Sequence, residues 1–386
     1  MKLWISVKIC LFILFTFTFT LYILSFYFNY RIYDILQFRR IIAGDLRVTN
    51  FTKKILFWNT MFGDETFYMG TGDIFQHCPV NDCYATHDRY YTDMEDFDAV
   101  LFHGNELEAS DLPSIRSPRQ WYVFVNLESP ANRPLTSHIY EDFFNLTMTY
   151  RLDSDVVWTY GVVKDAHTGE VVAPSKNVDW SAYNRSGERS GILEKDAALS
   201  KTIRGKTKPI VWFVSNCVAK SGRESYVNRL SRYIPVDIYG KCGNMSCPQT
   251  KDCFREVVEP RYFFYLSFEN SLCVDYATEK LYNALRYNVV PIVFGGANYN
   301  RFAPPGSYIH VLDYETPKHL AEYLKRLMKN PGAYSEYFTW KKRYKIENAT
   351  RYAACNLCEF LHKRKQQRTY NSLSDWYSAN VHCTIF

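Results

Sequence analysis

Carboxylate, amide, phenol and ammonium groups crowd one short arc of this chain. In FENSLCVDYATEK, from Phe268 to Lys280, the residues Glu269, Asn270, Asp275, Tyr276, Glu279 and Lys280 occupy the turn between two apolar runs. A turn that only reverses the chain is built mostly from Gly, Ser and Asn. This one suits a polar ligand held where a strand hands over to a helix. A helix opening near Thr278 would aim free N–H groups and the positive end of its dipole at the turn, which favours an anion. Lys280 in the first helical turn is at the wrong end of that dipole for helix stability, and makes sense beside a phosphate. Glu279 can accept from the vicinal hydroxyls of a ribose. Arg223 follows the turn SNCVAKSG at the preceding strand-to-helix corner, where a guanidinium can grip a diphosphate with two N–H groups. Glu128 in VNLESP ends an apolar strand and is a candidate general base.

Each of these has a plainer reading. Glu279 and Lys280 read as solvent-facing charges, Arg223 as a surface residue, and Glu128 as an acceptor for loop N–H groups. Two Asp-x-Asp triplets, Asp96 with Asp98 and Asp153 with Asp155, are of the kind that holds Mg2+ or Mn2+ against a diphosphate. Neither lies in the half that carries the phosphate-like corner, so a metal duty is not favoured. His103 ends its strand at the level of a cleft and is an acceptor-side candidate.

These groups need strand ends to hold them. KILFWN, AVLFHG and WYVFVNLE read as buried strands of a first half. The second half alternates: strands at PIVWFVSN, PVDIYG, YFFYLSF and VVPIVFGG, with helices over Gly222 to Ile234 and Thr278 to Tyr287. Further helical patterns run over Lys318 to Met328 and Gly332 to Tyr344. Such alternation predicts a parallel sheet covered on both faces, with a ligand at the carboxyl ends of the strands. A basic, weakly periodic stretch from Asn184 to Lys208 marks the boundary. The divisions are a cytoplasmic tail over 1–8, a transmembrane signal anchor over 9–30, a stem over 31–53, domains over 54–190 and 205–346, and a Cys-containing tail over 347–386.

With 47% hydrophobic and 22% charged residues the chain is far from disordered composition. A net charge of +6 is mild, and no basic block is long enough to argue for nucleic acid. Aromatic residues at 17% suit large cores first and sugar-stacking platforms second. The uncharged run from Ile9 to Tyr30 is long enough to cross a bilayer as a helix. It ends in residues too large for a signal-peptidase site, which favours an uncleaved anchor. Positive charges on both flanks leave orientation to other features. Ten of the eleven cysteines lie beyond the anchor, and N-glycosylation sequons begin at Asn50, Asn145, Asn184, Asn244 and Asn348. Together they favour disulfides in a lumenal, oxidising compartment. Zinc at CNLC is the lesser alternative, since no second ligand pair accompanies it.

The motifs FENSLCVDYATEKLYNA, VNLESP, NLTMTYRLDSD and CNLC closely resemble the α1,3-fucosyltransferase family of Golgi type II membrane enzymes, over nearly all of the chain from Lys54 to Cys358. The resemblance implies an α/β fold of the GT-B type, two Rossmann-like domains facing a cleft, acceptor domain first and donor domain second. It implies transfer of L-fucose from GDP-fucose to the 3-hydroxyl of an N-acetylglucosamine or glucose residue with inversion. The implied partners are GDP-fucose, a glycan acceptor on glycoprotein or glycolipid, and the Golgi membrane. No cofactor is required, with Mn2+ or Mg2+ at most stimulatory. Matched residue by residue, Glu128 is the base, Arg223 and Lys280 contact the diphosphate, Glu279 the ribose, and Asn270 and Tyr276 complete the donor site. LFHGNEL departs from the LFHHRD-like run of vertebrate Lewis-type members, which leaves acceptor identity open. The rival readings are a membrane-tethered, non-catalytic glycan-binding protein on the same fold and a transferase using another nucleotide sugar.

Overall fold

Apolar runs become strands in the computed structural model of the protein, which describes residues 52–135, 138–181, 196–248, 250–363, 369–379, 383 and 384, with Thr20 and Ser25. Apart from those two positions and from Thr52 and Lys53, the latter already in a strand, the expected anchor and stem lie outside the described residues, as do Asn50 and Asn184. Among the described residues no helix is long and apolar enough to cross a membrane.

The first sheet is parallel throughout. It comprises β1 (Lys53–Phe57), β2 (Cys83–Thr86), β3 (Ala99–His103), β4 (Trp121–Asn126), β5 (Leu146–Thr149) and β6 (Val156–Val157), in the order β2-β1-β3-β4-β5-β6. Every residue of β3 and β4 is buried, as parallel strands covered on both faces require. Among the described residues the connections within this sheet are loops and 3-10 turns, not α-helices.

β7 (Val162–Asp165) and β8 (Val171–Ala173) form an antiparallel pair, and α1 (Ala197–Gly205) opens the second lobe on an Asp196 cap. A second parallel sheet follows, ordered β10-β9-β11-β13-β14. Its strands are β9 (Lys208–Phe213), β10 (Val236–Tyr239), β11 (Tyr262–Phe268), β13 (Val290–Phe294) and β14 (Ile309–His310); a short β12 (Leu272–Cys273) lies apart. The crossovers include α2 (Arg223–Leu230) and α3 (Glu279–Arg286), where Leu281, Ala284 and Leu285 make the buried face. α4 (Pro317–Met328) matches its expected pattern. The helix expected over Gly332 to Tyr344 does not form as one. It breaks into α5 (Pro331–Glu336), a 3-10 turn at Thr339–Lys342 and β15 (Tyr344–Glu347), which pairs with β7. Phe338, Trp340 and Tyr344 are all buried, and anchoring those three rings decides against regular helical spacing.

The expected tail over 347–386 is not a tail. α6 (Thr350–Lys363) lays Ala353, Ala354, Leu357 and Leu361 on the face of the first sheet that carries Ile55, Leu101 and Val123. The next segment puts Tyr370, Leu373, Trp376 and Tyr377 on the opposite face, against Phe102 and Phe124. Alternation along β3 and β4 supplies both surfaces. The chain therefore returns to its first lobe after building the second, and β16 (Cys383–Thr384) finally pairs with β12.

Five disulfides join the ten cysteines: Cys78 to Cys355, Cys83 to Cys358, Cys217 to Cys242, Cys247 to Cys253, and Cys273 to Cys383. Both sulfurs of CNLC are thus in disulfides, which removes the zinc alternative. The bridges from Cys78 and Cys83 close nearly the same loop, of sequence separations 277 and 275. Losing one leaves the other to restrain the unfolded chain. Removing either pair opens only the ring of about ten residues between the two bridges and is expected to cost about 2–3 kcal/mol, whereas removing both also frees the long loop and costs about 5 kcal/mol more in the chain-entropy description. Denaturant melts of the three variants check this, and equal losses from each single removal and the double would contradict it.

Burial corrects one sequon. Asn145 is 4% exposed, and its Oδ1 accepts from Tyr122 N at 3.1 Å and from the Arg116 guanidinium. A side chain wedged into the sheet this way has no room for a glycan. Asn244 and Asn348 are exposed, and Asn348 Oδ1 also caps α6 through Thr350 N at 2.8 Å.

Candidate active site

Glu128 lies two residues beyond β4, half-buried at the carboxyl edge of the first sheet. Its N–H donates to Asn126 Oδ1 at 2.9 Å, which turns the chain outward at the strand end. Both carboxylate oxygens are held: Oε1 accepts from Tyr276 OH at 2.5 Å and Oε2 from Asn132 Nδ2 at 3.1 Å. Tyr377 OH donates to the Glu128 main-chain carbonyl at 2.7 Å. Tyr160 OH does the same for Leu127 at 2.5 Å. A carboxylate fixed at two oxygens and braced through its backbone keeps one acceptor site on each oxygen, held in a set direction.

Tyr276 was expected at the donor. Its side chain is fully buried, edge-on to Tyr150 at 5.0 Å, and its hydroxyl reaches Glu128 instead. Burial, with Tyr160 and Glu128 nearby, pushes its phenol well above the ordinary range. It therefore stays a neutral donor and positions the carboxylate. The contact joins the two lobes, and Ser129 Oγ to Ser271 Oγ at 2.7 Å, Lys220 Nζ to Ala131 O, and Leu152 N to Asp275 Oδ2 at 3.2 Å join them further.

Across from Glu128, Thr278 caps α3, and Glu269 at the end of β11 accepts from both Thr278 N and Thr278 Oγ1 at 2.8 Å. Lys280 Nζ reaches Thr278 Oγ1 at 2.9 Å, Glu279 Oε1 at 3.0 Å and Glu269 Oε2 at 3.2 Å. Burial alone would lower the Lys280 pKa, but Glu269 and then Glu279 hold it above its ordinary value. Burial pushes the Glu269 carboxyl up, against the pull of Lys280. For Glu279, burial pushes upward but Lys280 wins and the carboxyl stays below its usual range. Half of the Glu279 side chain is open to water although protein surrounds it. That combination belongs to a group in a cleft. Asn270 Oδ1 and Ser221 Oγ are buried beside this corner with no hydrogen-bond partner among the described residues, and Ser221 N donates to Asn270 O at 3.1 Å.

Arg223 corrects a second expectation. It does open α2 at the adjacent corner, and its charge is felt at Lys280. Its fork, however, is 3% exposed and turned inward: Nη1 donates to Phe268 O and Nη2 to Asn216 O, both at 2.9 Å, and Nε pairs with Glu224 at 3.0 Å. Three protein acceptors satisfy it, so it clamps the ends of β9 and β11 that form the corner's floor.

His103 is fully buried. Its Nδ1 lies 3.2 Å from Thr60 O, and burial pulls the imidazole pKa down to about 4. It is a neutral core residue, not a group that meets an acceptor. The Asp triplets are likewise committed: Asp98 to Lys53 Nζ and Lys54 N, Asp153 to Arg151, Asp155 to Thr147 and Tyr370. Sequence reasoning missed Asn132, Tyr160 and Tyr377. Only Asn132, four residues after Glu128, left a local signal.

Two family models match the chain: "Glycosyltransferase family 10 (fucosyltransferase) C-term" over residues 203–376 and "Fucosyltransferase, N-terminal" over residues 50–161. The chain is 38% identical over 342 residues to alpha-(1,3)-fucosyltransferase C of Drosophila melanogaster, covering 84% of this chain and 78% of that protein. It is 32% identical over 339 residues to the human 4-galactosyl-N-acetylglucosaminide 3-alpha-L-fucosyltransferase 9, covering 84% and 81%. A crystal structure of an alpha1,3-fucosyltransferase with GDP-fucose superposes with a TM-score of 0.50 at 18% identity, covering 82% of this chain and 92% of that one. The likeness to that structure concerns the fold, two parallel sheets of the GT-B kind facing one another.

Proposed function

The chain belongs to the glycosyltransferase family 10 fucosyltransferases, and from that premise we infer that it transfers fucose from GDP-fucose in α1,3 linkage to a glycan acceptor. The observation that carries the reading is the pairing of a doubly held carboxylate in one lobe with a lysine corner in the other, joined through Tyr276.

As the sugar–phosphate bond breaks, negative charge grows on the leaving phosphate. Lys280 and the N-terminus of α3 stabilise that charge more in the transition state than before it. Lys280 is shared between Glu269 at 3.2 Å and Glu279 at 3.0 Å, which partly neutralise it. A diphosphate reaching Lys280 releases Glu279, whose exposed carboxylate then accepts from ribose hydroxyls. Glu128 takes the proton of the attacking hydroxyl from the opposite face of the sugar. A single displacement inverts the anomeric carbon, by the stereochemical logic of inverting glycosidases. No step asks for a metal, and the carboxylates of both Asp triplets have protein partners.

GDP release on mixing GDP-fucose with N-acetylglucosamine-terminated glycans tests the reading. Release that depends on acceptor and persists in excess EDTA is expected. Donor and acceptor binding without release would favour the tethered glycan-binding protein, and release from other nucleotide sugars alone a different transferase. The acceptor class we propose is N-acetylglucosamine of a glycoprotein or glycolipid, in an N-glycan core or a Lewis-type antenna. We also propose a single-pass type II placement in the Golgi membrane with the catalytic region lumenal, supported by the apolar span and five disulfides. Digestion of that region by protease added to intact microsomes would overturn it.

A further inference from the structure

Near Glu128 the first lobe carries a half-open cavity of about 220 Å3 that the donor corner does not share, lined by Gly104, Asn105, Phe124, Asn126, Asn132 and Leu135, among others. It is one side chain away from Glu128, since Asn132 both lines it and donates to Glu128 Oε2 at 3.1 Å. Asn105 Oδ1 accepts from Asn126 Nδ2 at 3.1 Å. That bond fixes the Asn105 amide and leaves its Nδ2 a buried donor without a partner among the described residues. A buried amide N–H left unpaired is costly, so such a group marks where a partner belongs.

We propose that this cavity seats the acetamido group of the acceptor sugar, with Asn105 Nδ2 donating to its carbonyl oxygen. The proposal rests on the transfer reading above. Three features of an acetamide match three features of the cavity. The carbonyl meets the Asn105 donor, the amide N–H meets the Asn132 carbonyl oxygen, and the methyl meets the apolar wall of Phe124 and Leu135. A hydroxyl in place of the acetamide leaves that wall uncovered and Asn105 Nδ2 unpaired. The cavity also depends on Gly104. A Cβ there would lie 2.4 Å from the Phe124 ring and 3.2 Å from Asn126 Nδ2, displacing both the wall and the residue that orients Asn105. Gly104 and Asn105 lie in LFHGNEL, the run that left acceptor identity open.

The test compares two acceptors that differ only in carrying an acetamido or a hydroxyl group at C2, N-acetylglucosamine-based and glucose-based, with GDP-fucose as donor. Asn105→Asp keeps the oxygen that Asn126 needs and removes the donor; Asn105→Ala removes both. The ratio of kcat/KM for the two acceptors is expected to fall about five- to ten-fold in each variant, the worth of one hydrogen bond, with the donor KM unchanged. Because any general disturbance of Glu128 affects both acceptors alike, the ratio isolates recognition. A ratio equal to that of the unaltered protein in Asn105→Asp, with an unchanged melting temperature, overturns the proposal. Failure of the unaltered protein to use either acceptor overturns the transfer reading and the proposal with it. If Asn105→Ala does not fold, Asn105→Asp decides alone.

Discussion

Glu128→Gln is expected to lower kcat by about a hundred- to ten-thousand-fold, the worth of a positioned general base, with GDP affinity and melting temperature nearly unchanged. The amide keeps the shape of the carboxylate: its oxygen can accept from Asn132 while its N–H donates to the Tyr276 hydroxyl oxygen, so both positions stay filled and only the charge assistance is lost. Stability therefore falls by about 1 kcal/mol at most. Near-normal turnover in a folded Glu128→Gln protein would remove the base assignment. Tyr276→Phe separates aim from chemistry: it retains the carboxylate and the ring packing but deletes a hydrogen bond to a charged group, worth about 1.5–3 kcal/mol. Its kcat should drop about ten- to a hundred-fold, less than for Glu128→Gln. Unaltered kcat in Tyr276→Phe would reduce Tyr276 to a packing residue.

Lys280→Ala should combine the largest loss of stability with loss of donor turnover. Glu269 is fully buried and Lys280 is its cation, at 3.2 Å. Removing one member of a buried pair costs about 3–5 kcal/mol. Burial already raises the Glu269 carboxyl, and without Lys280 it rises further. A carboxyl whose folded pKa lies above its unfolded one stabilises the fold below the unfolded value and loses that contribution as pH rises through the folded one. Lys280→Ala should therefore be markedly less stable at neutral pH than near pH 4.5, measured by denaturant melts across that range. The double variant Glu269→Gln with Lys280→Met restores stability without restoring a cation for the phosphate. Donor turnover in that double variant equal to the unaltered protein would retire the lysine corner.

The strands were legible because burial on both faces imposes continuous apolar runs, as in AVLFH and YFFYLSF. The cap at Thr278 and the grouping of Glu279 and Lys280 in the first turn of α3 were legible because helix starts have local chemistry. What could not be read was set by partners distant in sequence. Tyr276 and Glu128 are 148 residues apart, and Tyr377 and Glu128 are 249 apart. Nothing in DYATEK says that the phenol crosses to the other lobe, and nothing near Tyr377 says that it braces the strand end at Glu128. Arg223 has the right type at the right corner, yet two free carbonyls and a neighbouring glutamate capture its fork. The Asn145 sequon is a local motif too, and burial by the neighbouring strand overrides it.

α6 and the segment bearing Tyr377 are made after the second lobe's sheet, yet they cover both faces of the first sheet. During synthesis the second lobe has all of its own strands and helices before the first lobe receives its cover. At roughly 5–20 residues per second, β1 waits many seconds for α6 with its apolar face exposed. The lobe that holds Glu128 thus receives its cover only after every strand of the other lobe's sheet has been made, so substitutions at Leu357 or Tyr377 should disturb the first lobe although they lie far from it in sequence.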